Sequence, residues 1–219
     1  GEVMGRYHFI AIGGIGMSGL AKYLLEDGHT VSGSDIVDSK YVDKLRELGA
    51  EVFIGQRAEN VPNDAVIIKS TAIRDNNPEV VRAKELGLPI YHRSDLLAEI
   101  AKTAQENGKC FIGFSGTHGK TTTSGLASFV LEKGSLNPSF VDGGIIPELN
   151  TNAQHKSGKQ FVAELDESDG TIKIVRNTEV SNISWDSKTS ESEGARKNEN
   201  NTATDRSVQR YACGCICII

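Results

Sequence analysis

Short apolar segments alternate with helix-like segments from the start of the chain to about residue 106. The apolar segments have the length of buried strands, and they read HFIAI, TVSGSD, AEVFI, AVIIK and PIYH. The segments between them carry helical periodicity or helix start and stop signals, and they cover residues 16–27, 41–48 and 77–87. Ser94 is predicted to cap a further helix. Strands and helices in alternation predict an α/β fold with a Rossmann-like parallel sheet and helices on its faces.

The same alternation resumes near Gly108 and predicts a second α/β unit. Its elements are a strand at 110–114, a glycine-rich loop, a helix at 121–133, and strands near 139–141 and 160–165. The polar stretch KTAQENGK lies between the two units and is predicted to be their boundary. We therefore predict one domain over residues 1–106 and a second, partial domain over residues 107–186.

Residues 187–219 differ in composition from the rest of the chain. The stretch DSKTSESEGARKNENNTATDRS is almost free of apolar residues, and an abrupt apolar end, YACGCICII, follows it. Such a polar segment cannot bury enough surface to offset the entropy of ordering it. The sequence therefore predicts a divergent, disordered tail.

Composition excludes some classes of protein without indicating a function. The 219 residues include 38% hydrophobic and 24% charged residues, which is ordinary for a soluble globular protein. A net charge of -5 without a basic stripe argues against a nucleic-acid partner. No apolar run has the length of a membrane span, so we expect no membrane partner. The four cysteines form no disulfide framework, and a cytoplasmic location is expected.

The stretch CFIGFSGTHGKTTTSGLASFVLEKG has the order of a phosphate-binding loop: strand, glycines, Gly-Lys-Thr, helix. Backbone N–H groups of such a loop can turn toward anionic oxygens, and the helix N-terminus adds partial positive charge. Lys120 can reach the β- and γ-phosphates, and the Thr121 hydroxyl can take a ligand position on Mg²⁺. Phe114 stands where the general pattern has glycine, so only the shorter G-x-x-G-K-T form is present. The alternative is a glycine-rich turn that binds nothing.

A second glycine motif, Gly-Ile-Gly-Met-Ser-Gly at residues 14–19, fits G-x-G-x-x-G between a strand and a helix. Asp35 ends the second strand, where a dinucleotide-binding fold holds the ribose with a carboxylate. Three interpretations remain open on spacing alone. The loop could bind NAD, could be a tight turn needed only for helix packing, or could hold another pyrophosphate through its backbone donors.

Six stretches in this order resemble the Mur ligases, the ATP-dependent amide-forming enzymes of peptidoglycan synthesis. The first domain supplies HFIAIGGIGMSGLA, VIIKSTAI and HRSDLLAE, and the second supplies GTHGKTTT, GGIIPELNTNA and AELDESDG. The similarity covers about residues 7–170. It implies a Rossmann-like domain that binds UDP-N-acetylmuramate, followed by an incomplete P-loop-type α/β domain that binds ATP.

The resemblance also implies the residues of both sites. The ATP-binding residues would be Gly116, Thr117, His118, Gly119, Lys120, Thr121 and Thr122, with Lys120 and His118 acting at the reacting phosphates. The UDP-sugar-binding residues would be Gly14, Ile15, Gly16, Met17, Ser18, Asp35, Ser70 and Thr71. Thr121 and Glu164 would bind Mg²⁺.

The chemistry implied by the resemblance is a two-step amide formation. The lactyl carboxylate of the sugar would attack the ATP γ-phosphate to give an acyl phosphate and ADP, and the amine of L-alanine would then displace phosphate. Because the substrate supplies the nucleophile, the protein would mainly position anions and neutralise charge.

The resemblance weakens after the acidic cluster. The segment SNISWDSK has Ser184 and Ser187 where the family has a glutamate and a metal-binding histidine, and no similarity follows it. A truncated or frame-shifted ligase would show this pattern, and so would a diverged pseudo-enzyme. The leading hypothesis is a truncated form of the ligase. A non-catalytic nucleotide- or UDP-sugar-binding fragment is the alternative, and an NAD-dependent oxidoreductase is a more distant one.

Overall fold

The structure is a computed structural model that describes residues 5–165 of the 219-residue chain. The first sheet has five parallel strands in the order β3-β2-β1-β4-β5. Its strands are β1 (Arg6–Ile10), β2 (Thr30–Asp35), β3 (Glu51–Ile54), β4 (Val66–Lys69) and β5 (Ile90–His92). Its helices are α1 (Ile15–Glu26), α2 (Lys40–Glu47), α3 (Pro78–Glu85) and α4 (Arg93–Glu106), with a short 3₁₀ helix at Ala58–Asn60. The predicted α/β class with a Rossmann-like parallel sheet is confirmed.

Local signals fix most helix ends in this domain. The Asn77 side chain accepts a hydrogen bond from Glu79 N at 2.9 Å, Pro78 occupies the first turn of α3, and Gly87 follows its end with a φ of 67°. The prediction that Ser94 caps α4 is wrong, because His92 is the cap. The Nδ1 atom of His92 accepts from Ser94 N at 3.3 Å, and Asp95 accepts from His92 N at 3.2 Å.

The second sheet has the order β6-β9-β7-β8, and only β8 runs antiparallel to its neighbour. Its elements are β6 (Cys110–Phe114), α5 (Lys120–Lys133), β7 (Ser139–Ile146), β8 (Thr151–Gln154) and β9 (Gln160–Glu164). The sequence analysis missed β8, whose residues are Thr-Asn-Ala-Gln and show no apolar run. Among residues 5–165 this strand pairs with β7 alone, at the edge of the sheet, so its pairing and not its own propensity places it.

One apolar core joins the two sheets. It includes Phe9 and Leu24 of the first domain and Phe111 and Phe161 of the second, all buried. The ring centroids of Tyr23, on α1, and Phe161 lie 5.5 Å apart, and the ring of Phe111 lies at the same centroid distance from Phe161. Because the sheets share this core, packing fixes how the loops at their ends face each other.

The predicted boundary between the domains lies within the described residues, and the predicted tail lies outside them. Most of the polar stretch at 102–109 is the end of α4, which runs to Glu106 before β6 begins at Cys110. The end of the predicted second domain, the predicted tail at 187–219, and the departures at Ser184 and Ser187 lie outside the described residues. Among the helices of residues 5–165, none is both long enough and apolar enough to cross a membrane.

Candidate active site

The glycine loop of the first domain is held by the carboxylate of Asp35. The loop begins where β1 ends, at Ala11, which has a φ of 64° and turns the chain. Gly13 N donates to Asp35 Oδ2 at 2.8 Å, and Val37 N donates to Asp35 Oδ1 at 3.0 Å. A Cβ on Gly13 would lie 2.8 Å from Asp35 Oδ2, so this position has no room for a side chain. The sequence analysis did not single out Gly13, although the doubled glycine was the available signal.

Two glycines of the G-x-G-x-x-G motif leave room for side chains from elsewhere in the fold. A Cβ on Gly16 would lie 2.6 Å from Nη1 of Arg93, at the start of α4. A Cβ on Gly19 would lie 2.8 Å from Nδ2 of Asn152, on β8 of the second sheet. In a dinucleotide-binding fold the third glycine lets the helix approach its own sheet. Here Gly19 lets α1 approach the other domain.

The predicted residues next to this loop lie at the point where the strand order reverses. Ser70 and Thr71 directly follow β4, which pairs with β1. Open α/β sheets bind ligands at the carboxyl ends of the strands flanking such a point. His92 Nδ1 accepts from Ser94 N, so the neutral ring carries its proton on Nε2 and donates to Thr71 Oγ1 at 3.0 Å. Met17 and Ser18 are buried, and Ser18 N already donates to Gly14 O at 2.7 Å.

The phosphate loop has the geometry expected of an anion site. Gly119 has a φ of 76°, and it precedes α5 without providing a side-chain cap. The first N–H groups of α5 are therefore available to an anionic ligand. Lys120 Nζ donates to Gly116 O at 2.7 Å, which folds the lysine back over the loop. The exposed His118 ring lies 3.2 Å from Thr117 Oγ1.

Glu164 meets the phosphate loop at the end of β9, between β6 and β7. Its Oε2 atom accepts from Thr121 Oγ1 at 2.9 Å and from Gly143 N at 3.0 Å. A hydroxyl and a carboxylate oxygen fit Mg²⁺, which usually takes one or two protein ligands and completes its shell with water and substrate phosphate. Within residues 5–165, no group of three or more His, Cys, Asp or Glu side chains could hold a metal ion.

Asp142 is a further acid at this site, and the sequence analysis did not find it. It is buried on β7, where Ser124 Oγ donates to its Oδ2 at 2.6 Å and Gly144 N donates to its Oδ1 at 3.1 Å. Burial raises the pKa of Asp142 to about 6, and the charge of Glu164 acts in the same direction. An aspartate inside the apolar run SFVDGGII was the available signal.

The two loops open into one cleft between the sheets, with a volume of about 240 Å³. The first domain lines it with Ile15, Gly16, Leu20, Arg93, Ser94 and Leu97, and the second with Thr121, Val141, Asp142, Gly143 and Glu164. The fold thus brings Gly16 of one predicted site together with Thr121 and Glu164 of the other. The other predicted site residues are not among the lining residues: Gly14, Met17, Ser18, Asp35, Ser70, Thr71, Gly116, Thr117, His118, Gly119, Lys120 and Thr122.

Sequence comparisons identify relatives of this part of the chain. The Mur ligase family, catalytic domain, matches residues 6–105. The UDP-N-acetylmuramate–L-alanine ligase of Rhizobium etli is 49% identical over 171 residues, which are 78% of this chain and 35% of that protein. The enzyme of the same name from Methylorubrum extorquens is 47% identical over 171 residues, which are 78% of this chain and 36% of that protein. The chain therefore spans about a third of the length of these curated relatives.

Solved structures show the same relationship. The UDP-N-acetylmuramate-alanine ligase of Thermotoga maritima matches with a TM-score of 0.68 and 36% identity, over 74% of this chain and 37% of that one. A UDP-N-acetylmuramate:L-alanyl-gamma-D-glutamyl-meso-diaminopimelate ligase from Neisseria meningitides matches with a TM-score of 0.65 and 30% identity, over 75% of this chain and 53% of that one.

Proposed function

The N-terminal part of this chain belongs to the Mur ligase family, and on that premise we propose that it is part of an ATP-dependent, ADP-forming ligase. The ligase would join L-alanine to UDP-N-acetylmuramate in peptidoglycan synthesis. The observation that carries this proposal is the common cleft of the two glycine loops. A carboxylate of one substrate must meet the γ-phosphate of another, and a cleft lined by Gly16 on one side and Thr121 on the other suits that encounter.

The loop of the first domain would hold the UDP-sugar through its backbone. Residues 14–18 begin α1, and the positive end of that helix favours the pyrophosphate. Asp35 stiffens the loop through Gly13, and Ser70 and Thr71 border the same end of the sheet. Both oxygens of Asp35 already accept backbone N–H groups, which supports this role over the ribose contact of an NAD-dependent oxidoreductase.

The loop at residues 116–122 would hold the ATP phosphates. Lys120, whose ammonium group donates to the Gly116 carbonyl, would donate to a γ-phosphate oxygen instead when ATP is bound. His118 lies on the exposed side of the loop and would border the phosphates. Thr121 and Glu164 would hold Mg²⁺, which supplies further positive charge beside the phosphates. Lys120, together with Mg²⁺ held by Thr121 and Glu164, would neutralise the negative charge on the phosphoryl group during its transfer.

The proposed reaction proceeds in two displacements. The lactyl carboxylate attacks the γ-phosphorus, its bond to ADP breaks, and an acyl phosphate forms. The amine of L-alanine then attacks the acyl carbon, inorganic phosphate leaves, and the amine gives up a proton. The reaction would take place in the cytoplasm, where ATP is available.

Ligand titration tests the assignment of the first domain. We expect UDP-N-acetylmuramate to bind the 219-residue chain and NAD to bind more weakly, as measured by calorimetry of each ligand under identical conditions. UDP-glucose is a control that keeps the pyrophosphate and lacks the lactyl carboxylate. Tighter binding of NAD than of UDP-N-acetylmuramate would contradict the proposed function.

A further inference from the structure

The side chain of Asn152 connects the second domain to the glycine loop of the first. Asn152 is buried on β8, and its Nδ2 atom donates to the carbonyl oxygen of Ile15 at 2.7 Å. Ile15 is the first residue of α1 and lies inside the Gly-Ile-Gly segment of the loop. Asn152 does not line the cleft between the sheets; it lines a separate groove together with Ser18 and Lys22. It therefore acts on the loop from behind and not from the ligand side.

The loop is thus held from two sides. Asp35 of its own sheet binds Gly13 N at 2.8 Å, and Asn152 of the other sheet binds Ile15 O at 2.7 Å. Gly19 makes the second contact possible, because a Cβ there would lie 2.8 Å from Asn152 Nδ2 and 3.3 Å from its Cγ. A buried amide that lost this acceptor would be left unsatisfied. The loop position that keeps this hydrogen bond is therefore strongly favoured.

We propose that Asn152, in the nucleotide-binding domain, is a positioning residue that fixes the conformation of the UDP-sugar loop in the first domain. This inference rests on the proposed function, because it concerns the same loop and the same substrate. The bond from Asn152 fixes the carbonyl group of Ile15 against β8 of the second domain. The amide aligns the backbone donors of the loop with the pyrophosphate and does not touch the substrate itself.

Lys22 provides a matched control on the same helix. Its Nζ atom donates to Thr151 Oγ1 at 2.7 Å and to Ala153 O at 2.6 Å, so it also joins α1 to β8. It lies about two helical turns beyond Ile15, however, and neither of these two bonds involves an atom of the loop. Lys22→Met should weaken the contact between the domains and leave the position of Ile15 unchanged.

The test is calorimetric titration of UDP-N-acetylmuramate into the 219-residue chain and its variants. Asn152→Ala and Asn152→Asp should each weaken binding about tenfold, since both lose the donor to Ile15 and one buried hydrogen bond is worth about that factor. Lys22→Met should lower the free energy of unfolding without changing the affinity. Gly19→Ala, which pushes the amide away from the helix side, should weaken binding as Asn152→Ala does.

The double variant Asn152→Ala/Gly19→Ala separates positioning from general damage. The shorter side chain at 152 leaves room for the new Cβ, so the double variant should bind no more weakly than Asn152→Ala alone. Equal affinity of the Asn152 variants and the unaltered chain would overturn the inference and leave the proposed function intact. An equal loss in Lys22→Met would overturn it as well. Failure of the unaltered chain to bind the UDP-sugar would overturn both.

Discussion

Asp142 shows how one side chain connects the phosphate loop to the rest of its domain. Its carboxylate accepts hydrogen bonds from Ser124 Oγ on α5 and from Gly144 N on β7 itself, and the intervening Gly143 N donates to Glu164. The side chain is buried, and its charged form is therefore disfavoured even with these donors. The protein keeps a carboxyl group at a position where its ionisation costs stability, which makes that stability dependent on pH.

Asp142→Asn should stabilise the chain more at high pH than at low pH. The folded-state pKa of about 6 lies above the ordinary value of 3.8, so the folded state binds more protons between these values. Stability contributed by the protonated group is therefore lost as the pH rises through about 6. Urea unfolding of both proteins without Mg²⁺, at about pH 4 and about pH 8, measures the difference. Asp75→Asn is the control, since the Lys69 ammonium lowers the pKa of that exposed carboxyl. A difference in stability that does not change with pH would contradict the prediction.

Lys120→Ala should weaken ATP binding and abolish turnover in a ligase that contains this chain together with the remainder of the enzyme. The variant loses the ammonium at the phosphate loop, whose present partner is the Gly116 carbonyl. Lys133→Ala removes a lysine from the opposite end of α5 and serves as the matched control. ATP affinity by titration and phosphate release together check the prediction. If Lys120→Ala binds and turns over ATP as the unaltered enzyme does, the loop is only structural.

Helix α3 is attached to the first sheet by a buried polar network. Glu79, in its first turn, is fully buried, and its two oxygens accept from Ser34 Oγ at 2.6 Å and from Asn60 Nδ2 at 2.7 Å. The buried His8 ring bonds Ser32 Oγ at 2.8 Å, and its Nε2 lies 3.8 Å from Glu79. These bonds connect α3, β1, β2 and the 3₁₀ helix beneath the strand ends that carry the glycine loop.

Glu79→Ala should destabilise the chain by about 2–3 kcal/mol, because it leaves the buried Ser34 hydroxyl without its Glu79 acceptor and removes one of the two acceptors of Asn60 Nδ2, the other being Gly55 O. Glu85→Ala, at the other end of α3, is the control, since its carboxylate is exposed and pairs only with Arg82 at 3.3 Å among the recorded ion pairs. Urea unfolding monitored by circular dichroism gives both free energies. Equal, small effects of the two changes would show that the network contributes little.

At the level of the whole molecule, the cleft has one wall from each domain, and one apolar core holds the walls together. The aligned region is about a third of the length of the curated relatives. The two loops and Glu164 can account for binding of a UDP-sugar, phosphates and a metal ion. Among the described residues we assign none to the amine of L-alanine.

The 219-residue chain by itself should therefore not form the amide bond at an enzymatic rate. Orientation of the amine against the acyl phosphate can contribute roughly 7–11 kcal/mol to catalysis, and this contribution would be missing. The measurement is phosphate release from the chain with UDP-N-acetylmuramate, ATP and Mg²⁺, with and without L-alanine. Alanine-dependent release at a rate typical of enzymes would contradict the expectation.

The sequence alone determined the order of most elements, the two glycine loops and the resemblance to the Mur ligase family. These features depend on neighbouring residues: Asn77, Pro78 and Gly87 mark α3, and Gly119 and Lys120 mark the start of α5. Such signals are short in range, and they are readable before the chain is folded.

Only the tertiary structure decided what the loops face. The spacing of G-x-G-x-x-G did not reveal that Gly19 accommodates Asn152, a residue far along the chain on a strand without an apolar pattern. Nor did it reveal that Asp142 lies beside Glu164, or that both loops open into one cleft. These arrangements depend on contacts between distant residues, and packing of the shared core determines them, because no local propensity encodes the position of one domain against another.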